Sequence, residues 1–329
     1  MEFDYNLERH IFDLKEQLEN GTYKHGEYHS FDVNDPKHRR IKAAPFRDRV
    51  VHHALCNIIE PIFDSCFIFD SYACRKEKGT HKAVKRLKTF LQSVQSWDVK
   101  QERDSRKPSQ TYCLKCDIRK YFASIDHKTL FSVIKKKIKN ERILKVIRET
   151  INSHWDSIEY KNLFEYRKTG IPIGNLTSQL FANVYLNELD QFVKHKLKVR
   201  HYIRYMDDFL FLGKDKKELW KIKRAVEHFL AYKLKLSLHP KKVIDFPIKN
   251  GIDFLGYRVI SPSNVRLRKK TVRHFMKKFK KKEKRKTDRR SLLQSIQSFR
   301  GFAKHGDSFA LLSRLKIPQL ILKYKQDNG

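Results

Sequence analysis

Acidic residues are scarce in this chain, and so are glycine and proline. Its 329 residues hold 37 Asp and Glu against 72 Lys and Arg, a formal charge of +35, with only eleven glycines and nine prolines. The acid deficit recurs along most of the chain and points to a polyanionic partner, nucleic acid first and an anionic membrane surface second. So little Gly and Pro, with no internal repeat, excludes a long flexible linker. No uninterrupted apolar run approaches the roughly 20 residues that span a bilayer, and the opening MEFDYNLERH lacks the basic and apolar regions of a signal peptide. A cytoplasmic protein without a membrane partner is therefore expected. Cysteine is sparse and odd in number: Cys56, Cys66, Cys74, Cys113 and Cys116 sit among apolar or β-branched neighbours and read as reduced core thiols. CLKC has zinc-ligand spacing but no second CxxC, and on a strand its two sulfurs would face opposite ways.

What is present is enough for a sizeable core, since 40% of the residues are hydrophobic. NLERHIFDLKEQLENG and RDRVVHHALCNIIEPIF show apolar residues at helical spacing, whereas SWDVKQERDSRKPSQ is polar and is expected to be an exposed loop. TYCLKCDI reads as a strand, and HKTLFSVIKKKIK and ERILKVIRETI read as amphipathic helices. LTSQLFANVYLNELDQFVKHKL is a helix with Leu180, Phe181, Val184 and Leu189 as apolar positions. HYIRY and FLFLG, separated by MDD, form a hairpin. The helix KKELWKIKRAVEHFLAYKL follows, then short strands around KKVIDF and GIDFLGYRVI, then a basic tail. The mixture with a central antiparallel hairpin places the fold in the α+β class. Residues 266–290 carry 15 Lys or Arg against Glu283 and Asp288 alone. Val272, Phe275, Met276 and Phe279 keep a helical stripe through that run, which predicts a folded helix whose basic face meets phosphates.

The few acids are placed tellingly. RYMDDFLFLG puts Asp207 and Asp208 side by side at the tip of a hairpin with apolar arms. Two adjacent carboxylates repel, and partial burial costs several kcal/mol unless a cation compensates. A third acid, Asp117, ends the strand-like YCLKCD and precedes an aromatic pair. Three such carboxylates could hold two Mg²⁺ ions about 3.5 to 4 Å apart for phosphoryl transfer. A basic protein with that site is a polymerase or a two-metal nuclease.

YMDD between apolar strands, preceded by a strand ending in Asp-Ile and then Phe-Ala, resembles the palm of reverse transcriptases. Further blocks in the same order extend the resemblance to the bacterial, group II intron-like enzymes. RIKAAPFRDRVVHHALCNIIEPIFDSCFIFDSYACRKEKGTHKA is similar to their first two blocks, CDIRKYFASIDH to that of the first catalytic Asp, and TGIPIGNLTSQLFANVYLNELD to the template- and nucleotide-contacting block. LSLHPKKVIDF and IDFLGYRVI look like the palm strand with a nucleotide-side lysine and the primer grip, and SIQSFRGFAKHGDSFAL looks like the thumb. The resemblance implies a right-hand polymerase: fingers and palm over 1–262, the antiparallel palm sheet carrying the YMDD hairpin, and a basic helical thumb over 263–329. It implies that Asp117, Asp207 and Asp208 ligate two Mg²⁺, with Mn²⁺ as a substitute, and that the Ile118 carbonyl adds a ligand. Phe122 would be the steric gate against a ribose 2′-OH, and Arg75 would clamp the incoming triphosphate. Lys242, or in second place Lys241, would neutralise or protonate the leaving pyrophosphate. Phe254, Leu255, Gly256 and Tyr257 would position the primer end.

One block departs from the commonest pattern. Group II intron enzymes usually carry Gln-Gly…Ser-Pro, whereas IGNLTSQ has Ile173 before Gly174 and Gln179 after Ser178. That variant looks like the reverse transcriptases of diversity-generating retroelements, bacterial or phage-encoded. The resemblance implies error-prone copying of a template repeat RNA into cDNA, with misincorporation opposite adenine that diversifies a target gene. Replacing Gln by Ile removes an amide beside the nascent pair, which should loosen selection there. The implied partners are template RNA, the cDNA primer strand, dNTPs and an oligomeric, basic, helical accessory protein. No endonuclease or RNase H segment is read after the thumb, so nicking and integration are expected of other enzymes. The alternatives are a retron or defence-associated reverse transcriptase, for which no Val-Thr-Gly appears near the primer grip, and a catalytically silent RNA-binding relative, which would have no reason to keep three mutually repelling acids.

Overall fold

The computed structural model of the protein describes residues 6–34, 38–105, 111–160, 166–285 and 287–325. In chain order the elements begin with α1 (Leu7–Glu19), the strands β1 (His29–Val33) and β2 (Arg39–Ala43), α2 (Phe46–Asp64), α3 (Thr80–Ser105) and β3 (Tyr112–Asp117). They continue with α4 (Tyr121–Ser124), α5 (His127–Lys135), α6 (Glu141–Asn152), β4 (Ser157–Tyr160), β5 (Tyr166–Thr169) and α7 (Leu176–Gln191), which runs on as a wider π-helical turn, Phe192–Lys196. β6 (Tyr202–Tyr205), β7 (Asp208–Gly213), α8 (Lys216–Leu234), β8 (Ile244–Pro247), β9 (Ile252–Phe254), β10 (Tyr257–Val259) and β11 (Val265–Leu267) follow. The last four helices are α9 (Lys269–Lys284), α10 (Arg289–Ala303), α11 (Phe309–Arg314) and α12 (Ile317–Lys325). The chain divides into two compact units. One comprises Met1–Glu77, Leu114–Phe211 and Lys217–Ile244, and the other Lys78–Cys113, Leu212–Lys216 and Asp245–Gly329.

In the first unit, α2 buries Val51, Leu55, Ile59 and Phe63 at steps of four and packs on α7. α7 is buried nearly all round: Leu180, Phe181, Val184 and Leu189 are joined inside by Asn183 and Asp190. Helix starts are set by side-chain caps. Asp126 accepts from the Thr129 N–H at 2.8 Å ahead of α5, and Asn140 accepts from Arg142 and Ile143 ahead of α6. In the sheet of this unit β6, β7 and β3 are neighbours in that order, with β6 and β7 antiparallel and Tyr205 opposite Asp208. Phe209, Leu210, Phe211 and Leu212 are all buried, as befits a strand covered on both faces.

The second unit holds α3, the antiparallel meander β9-β10-β11 and helices α9 to α12. The stripe predicted on the basic run exists: Phe275 stacks on Phe299 of α10 with centroids 3.9 Å apart, and Phe279 is buried beside it.

Two expectations need correction, and two hairpins are added. The polar stretch from Ser96 is helical as far as Ser105, because Lys, Gln, Glu and Arg are good helix formers whatever their polarity; the rest of the expected loop, 106–110, lies outside the described residues. The antiparallel hairpins β1/β2 and β4/β5 went unread. β1 (HSFDV) and β2 (RRIKA) alternate polar and apolar residues over only five positions each and have no buried residue, so the signal is too short and too polar to mark a strand. The five cysteines are free, but only Cys56, Cys113 and Cys116 are core thiols, Cys66 being half-buried and Cys74 exposed. Among the described residues no helix is long and apolar enough to cross a membrane.

Candidate active site

Strand β3 ends at Asp117, and the chain leaves it along two neighbours of the same unit. The Ile118 N–H donates to the Asp207 carbonyl at 3.3 Å, which places the end of β3 beside the Met206–Asp207 turn. On the other side the Arg119 N–H donates to the Ser237 carbonyl at 2.9 Å and the His239 N–H to the Asp117 carbonyl at 2.8 Å. This short antiparallel pairing, with Ile118 opposite Leu238, delivers the segment after α8 to the carboxylates. Lys242 Nζ then lies 2.7 Å from both Asp117 oxygens. Lys241 contributes only a backbone N–H, to His239 Nδ1.

Asp208 is the first residue of β7 and not part of the turn, so the pair sits half in the strand rather than wholly at the tip. Lys115 Nζ is 2.9 Å from Asp208 Oδ2. Lys115 went unnoticed in the sequence, although the period of two in β3 puts it on the same face as Asp117, away from buried Cys116. Burial, and then the nearby Asp117, raises the Asp207 carboxyl above its usual range; burial also raises Asp208, against the lowering effect of Lys115.

The donor set suits hard divalent cations, being all carboxylate oxygen. Asp208 Oδ1 is buried with no hydrogen-bond partner, and two carboxyls carry a burial cost that positive charge would offset. As they stand, no three His, Cys, Asp or Glu side chains among the described residues form a metal cage. Lysine ammoniums lie against Asp117 and Asp208 instead.

The hairpin is held by a residue that the sequence did not single out. Arg204, just before YMDD, is fully buried and bidentate on Asp190 of α7, at 2.8 Å and 2.6 Å. It also donates to the Met206 carbonyl at 3.2 Å, to Asn183 Oδ1 and to Ser71 Oγ. Tyr202 donates to the same Asp190 at 2.7 Å. One guanidinium thus ties the turn to α7 and to the segment around Ser71. Met206 has φ +56°, a conformation L residues with long side chains seldom adopt, and Arg204 fixes its carbonyl.

The other expected site residues are distributed as follows. Phe122 is half-buried against Tyr121, and its carbonyl accepts the Ile171 N–H. The Ile173 carbonyl accepts the Lys42 N–H at 3.0 Å, and Asn175 bridges the Lys42 carbonyl and the Ala44 N–H, so the unread β1/β2 hairpin lies against the IGN block. Gly174 has φ +119°, and a Cβ there would meet Ile41 Cγ2 at 2.8 Å. Gln179 lies in the first turn of α7, its N–H on the Asn175 carbonyl. Arg75 is not brought to the carboxylates as a free clamp. Its guanidinium donates to Asp64 at 2.6 Å and to the Ile68 and Ser71 carbonyls, because the turn after α2 offers these acceptors at closer range. Phe254, Leu255, Gly256 and Tyr257 belong to the second unit, where Leu255 and Gly256 form a tight turn with φ +49° and +89°. There Tyr257 stacks on Phe302 and donates to its carbonyl at 2.6 Å.

The strand-end Asp117 thus lies beside the antiparallel β6/β7 hairpin that carries Asp207 and Asp208. The family model described as reverse transcriptase (RNA-dependent DNA polymerase) matches residues 29–259, and the chain belongs to that family. It is 26% identical over 256 residues to protein YkfC of Escherichia coli, a match covering 68% of this chain and 64% of that protein. It is 25% identical over 320 residues to the group II intron-encoded protein LtrA of Lactococcus lactis, covering 77% of this chain and 50% of LtrA. The chain therefore spans about half to two thirds of the length of these relatives. Among solved structures it is similar to telomerase from Candida tropicalis, with a TM-score of 0.47 and 12% identity over 91% of this chain and 61% of that one.

Proposed function

We propose that this chain is an RNA-directed DNA polymerase that copies an RNA template with low fidelity for a diversity-generating retroelement. The observation that carries the polymerase reading is the joining of the end of β3 at Asp117 to the Met206–Asp207 turn ahead of Asp208, with Lys242 on Asp117, in a chain of the reverse transcriptase family. On this reading the chain is a right hand, with fingers and palm over residues 1–262 and a helical thumb over 263–329.

Asp117, Asp207 and Asp208 would hold a pair of Mg²⁺ ions, with the Ile118 carbonyl as a further ligand. When bound, these ions supply Lewis-acid charge at the attacking and leaving oxygens. The protein's own groups do the rest. Burial raises the Asp207 and Asp208 carboxyls, and a bound cation would offset the cost of their charged forms. Lys115 balances Asp208 while the site is open to solvent. The primer 3′-oxygen forms its bond to the α-phosphorus as the bond to pyrophosphate breaks. Lys242, half-exposed and held at Asp117, neutralises or protonates that leaving group. Phe122 would exclude a 2′-OH, and Phe254 to Tyr257 would seat the primer. Arg75 reaches a triphosphate only by releasing Asp64 and two carbonyls, so its part is to hold the 64–75 turn.

The subclass reading rests on Ile173 and Gln179. An aliphatic side chain at 173 offers no hydrogen bond to a base pair, and Gly174 beside it tolerates no Cβ, so the position cannot regain an amide from its neighbour. Template RNA, a cDNA primer, dNTPs and a basic helical accessory protein are the partners of this reading. The test is primer extension on an RNA template followed by sequencing of the product. Errors concentrated opposite adenine, and reduced by Ile173→Gln, support the subclass. An even error spectrum, or one that Ile173→Gln leaves unchanged, sinks it without touching the polymerase assignment.

A further inference from the structure

Seven Lys and Arg side chains of the second unit line a cavity of about 800 Å³. Arg258 from β10, Arg266 from β11, Arg268, Lys269, Lys270 and Arg273 around the start of α9, and Arg314 at the end of α11 converge on it. Only two carboxylates share the lining, and both are committed. Asp253 lies 3.1 Å from Arg268 Nε and 3.8 Å from Arg258, and Asp307 accepts the Val265 N–H at 2.8 Å. Lys269, Lys270, Arg273 and Arg314 have no carboxylate partner among the described residues. Seven cations against two carboxylates leave an excess of five positive charges in one lining, and an anionic occupant would relieve their repulsion.

We propose that this cavity is a binding site for a short single-stranded stretch of RNA, held through several adjacent backbone phosphates. The inference rests on the reading that the chain works on nucleic acid, and assigns to it an anchoring site separate from the carboxylates. The size argues for a strand: cavities of about 300–1,000 Å³ take ligands of small-molecule dimensions, so a few nucleotides enter and a duplex does not. The charge argues against a lone nucleotide, because seven cations less Asp253 and Asp307 leave five positive charges, more than one triphosphate neutralises. Arginine predominates, and its planar fork pairs with phosphate oxygens two at a time. Ile260, Leu267, Val272 and Leu311 supply an apolar wall for sugars and base faces.

The experiment uses the full chain and a fluorescein-labelled oligouridylate of about twelve nucleotides, titrated by anisotropy at several salt concentrations. One variant carries Lys269→Gln, Arg273→Gln and Arg314→Gln, all exposed and free of ion pairs, so the fold is undisturbed. A control variant carries Lys137→Gln, Lys139→Gln and Lys221→Gln, an equal loss of charge on the first unit. The site variant should bind about tenfold or more weakly, with the slope of log affinity against log salt reduced by about 2, since each phosphate contact on a single strand contributes about 0.7. The control should lose less than about threefold. Equal losses in both variants overturn the proposal, as does displacement of the oligouridylate by tripolyphosphate as readily as by unlabelled strand. If the unaltered chain binds the strand but extends no primer, the polymerase reading fails and the anchoring site stands.

Discussion

Lys242 is the residue whose role is most exposed to test. It lies on Asp117 within 2.7 Å, yet it is half-exposed and can move. As the proton donor to pyrophosphate it should be worth about 10²-fold in kcat. Lys242→Met is therefore expected to lower kcat by roughly that factor with KM for dNTP little changed, and Lys242→Arg to restore charge but not proton transfer. Equal kcat for Lys242→Met and the unaltered chain would remove it from the mechanism. Another residue-scale effect lies away from the site. His52, in α2, is buried with both ring nitrogens unpartnered, stacked on His25, and burial followed by the charge of His25 pushes its pKa down to about 4. The folded-state value lies below the unfolded one, so the contribution is complete above about pH 6.5 and is lost as pH falls towards 4, up to about 3 kcal/mol. Urea unfolding should show a smaller drop in stability between pH 7 and 5 for His52→Phe than for the unaltered protein. A drop of the same size in both would show that other groups govern acid sensitivity.

At the scale of elements, the hairpin that carries YMDD is positioned by the buried Arg204–Asp190 pair more than by its own turn. Removing one partner of a buried, hydrogen-bonded pair leaves an uncompensated charge and costs about 3–5 kcal/mol. Arg204→Met should lose that much in denaturant unfolding, and Arg204→Lys somewhat less because one donor geometry survives; a loss under about 1 kcal/mol would show that the pair is not what holds the turn. This element also shows what could be read in advance. The three acids stood out because like charges in apolar strands are costly, and the hairpin stood out because apolar runs flank MDD. Lys115 was legible from strand period alone. Arg204 was not, since its worth depends on Asp190 fourteen positions earlier, on a helix packed against the strand. The β1/β2 hairpin and its contact with Ile173 through Lys42 and Asn175 were equally hidden, because the alternation in HSFDV and RRIKA is only five residues long and the contact joins positions about 130 residues apart. The resemblance implied a phosphate clamp at Arg75, and its local acceptors are visible only in the folded turn.

For the whole molecule, a charge of +35 spread over 329 residues makes nucleic-acid affinity steeply salt-dependent. The catalytic claim is separate from that affinity and rests on three carboxylates. Primer extension on an RNA template with Mg²⁺, comparing the unaltered chain with Asp207→Asn, tests it most directly. Asparagine keeps the shape of the side chain and removes the negative charge. The account predicts incorporation by the unaltered chain and a loss of about 10³-fold or more in the variant, with template binding preserved, since the charge contributes only in the metal-assisted step. Incorporation that Asp207→Asn leaves unchanged would contradict it.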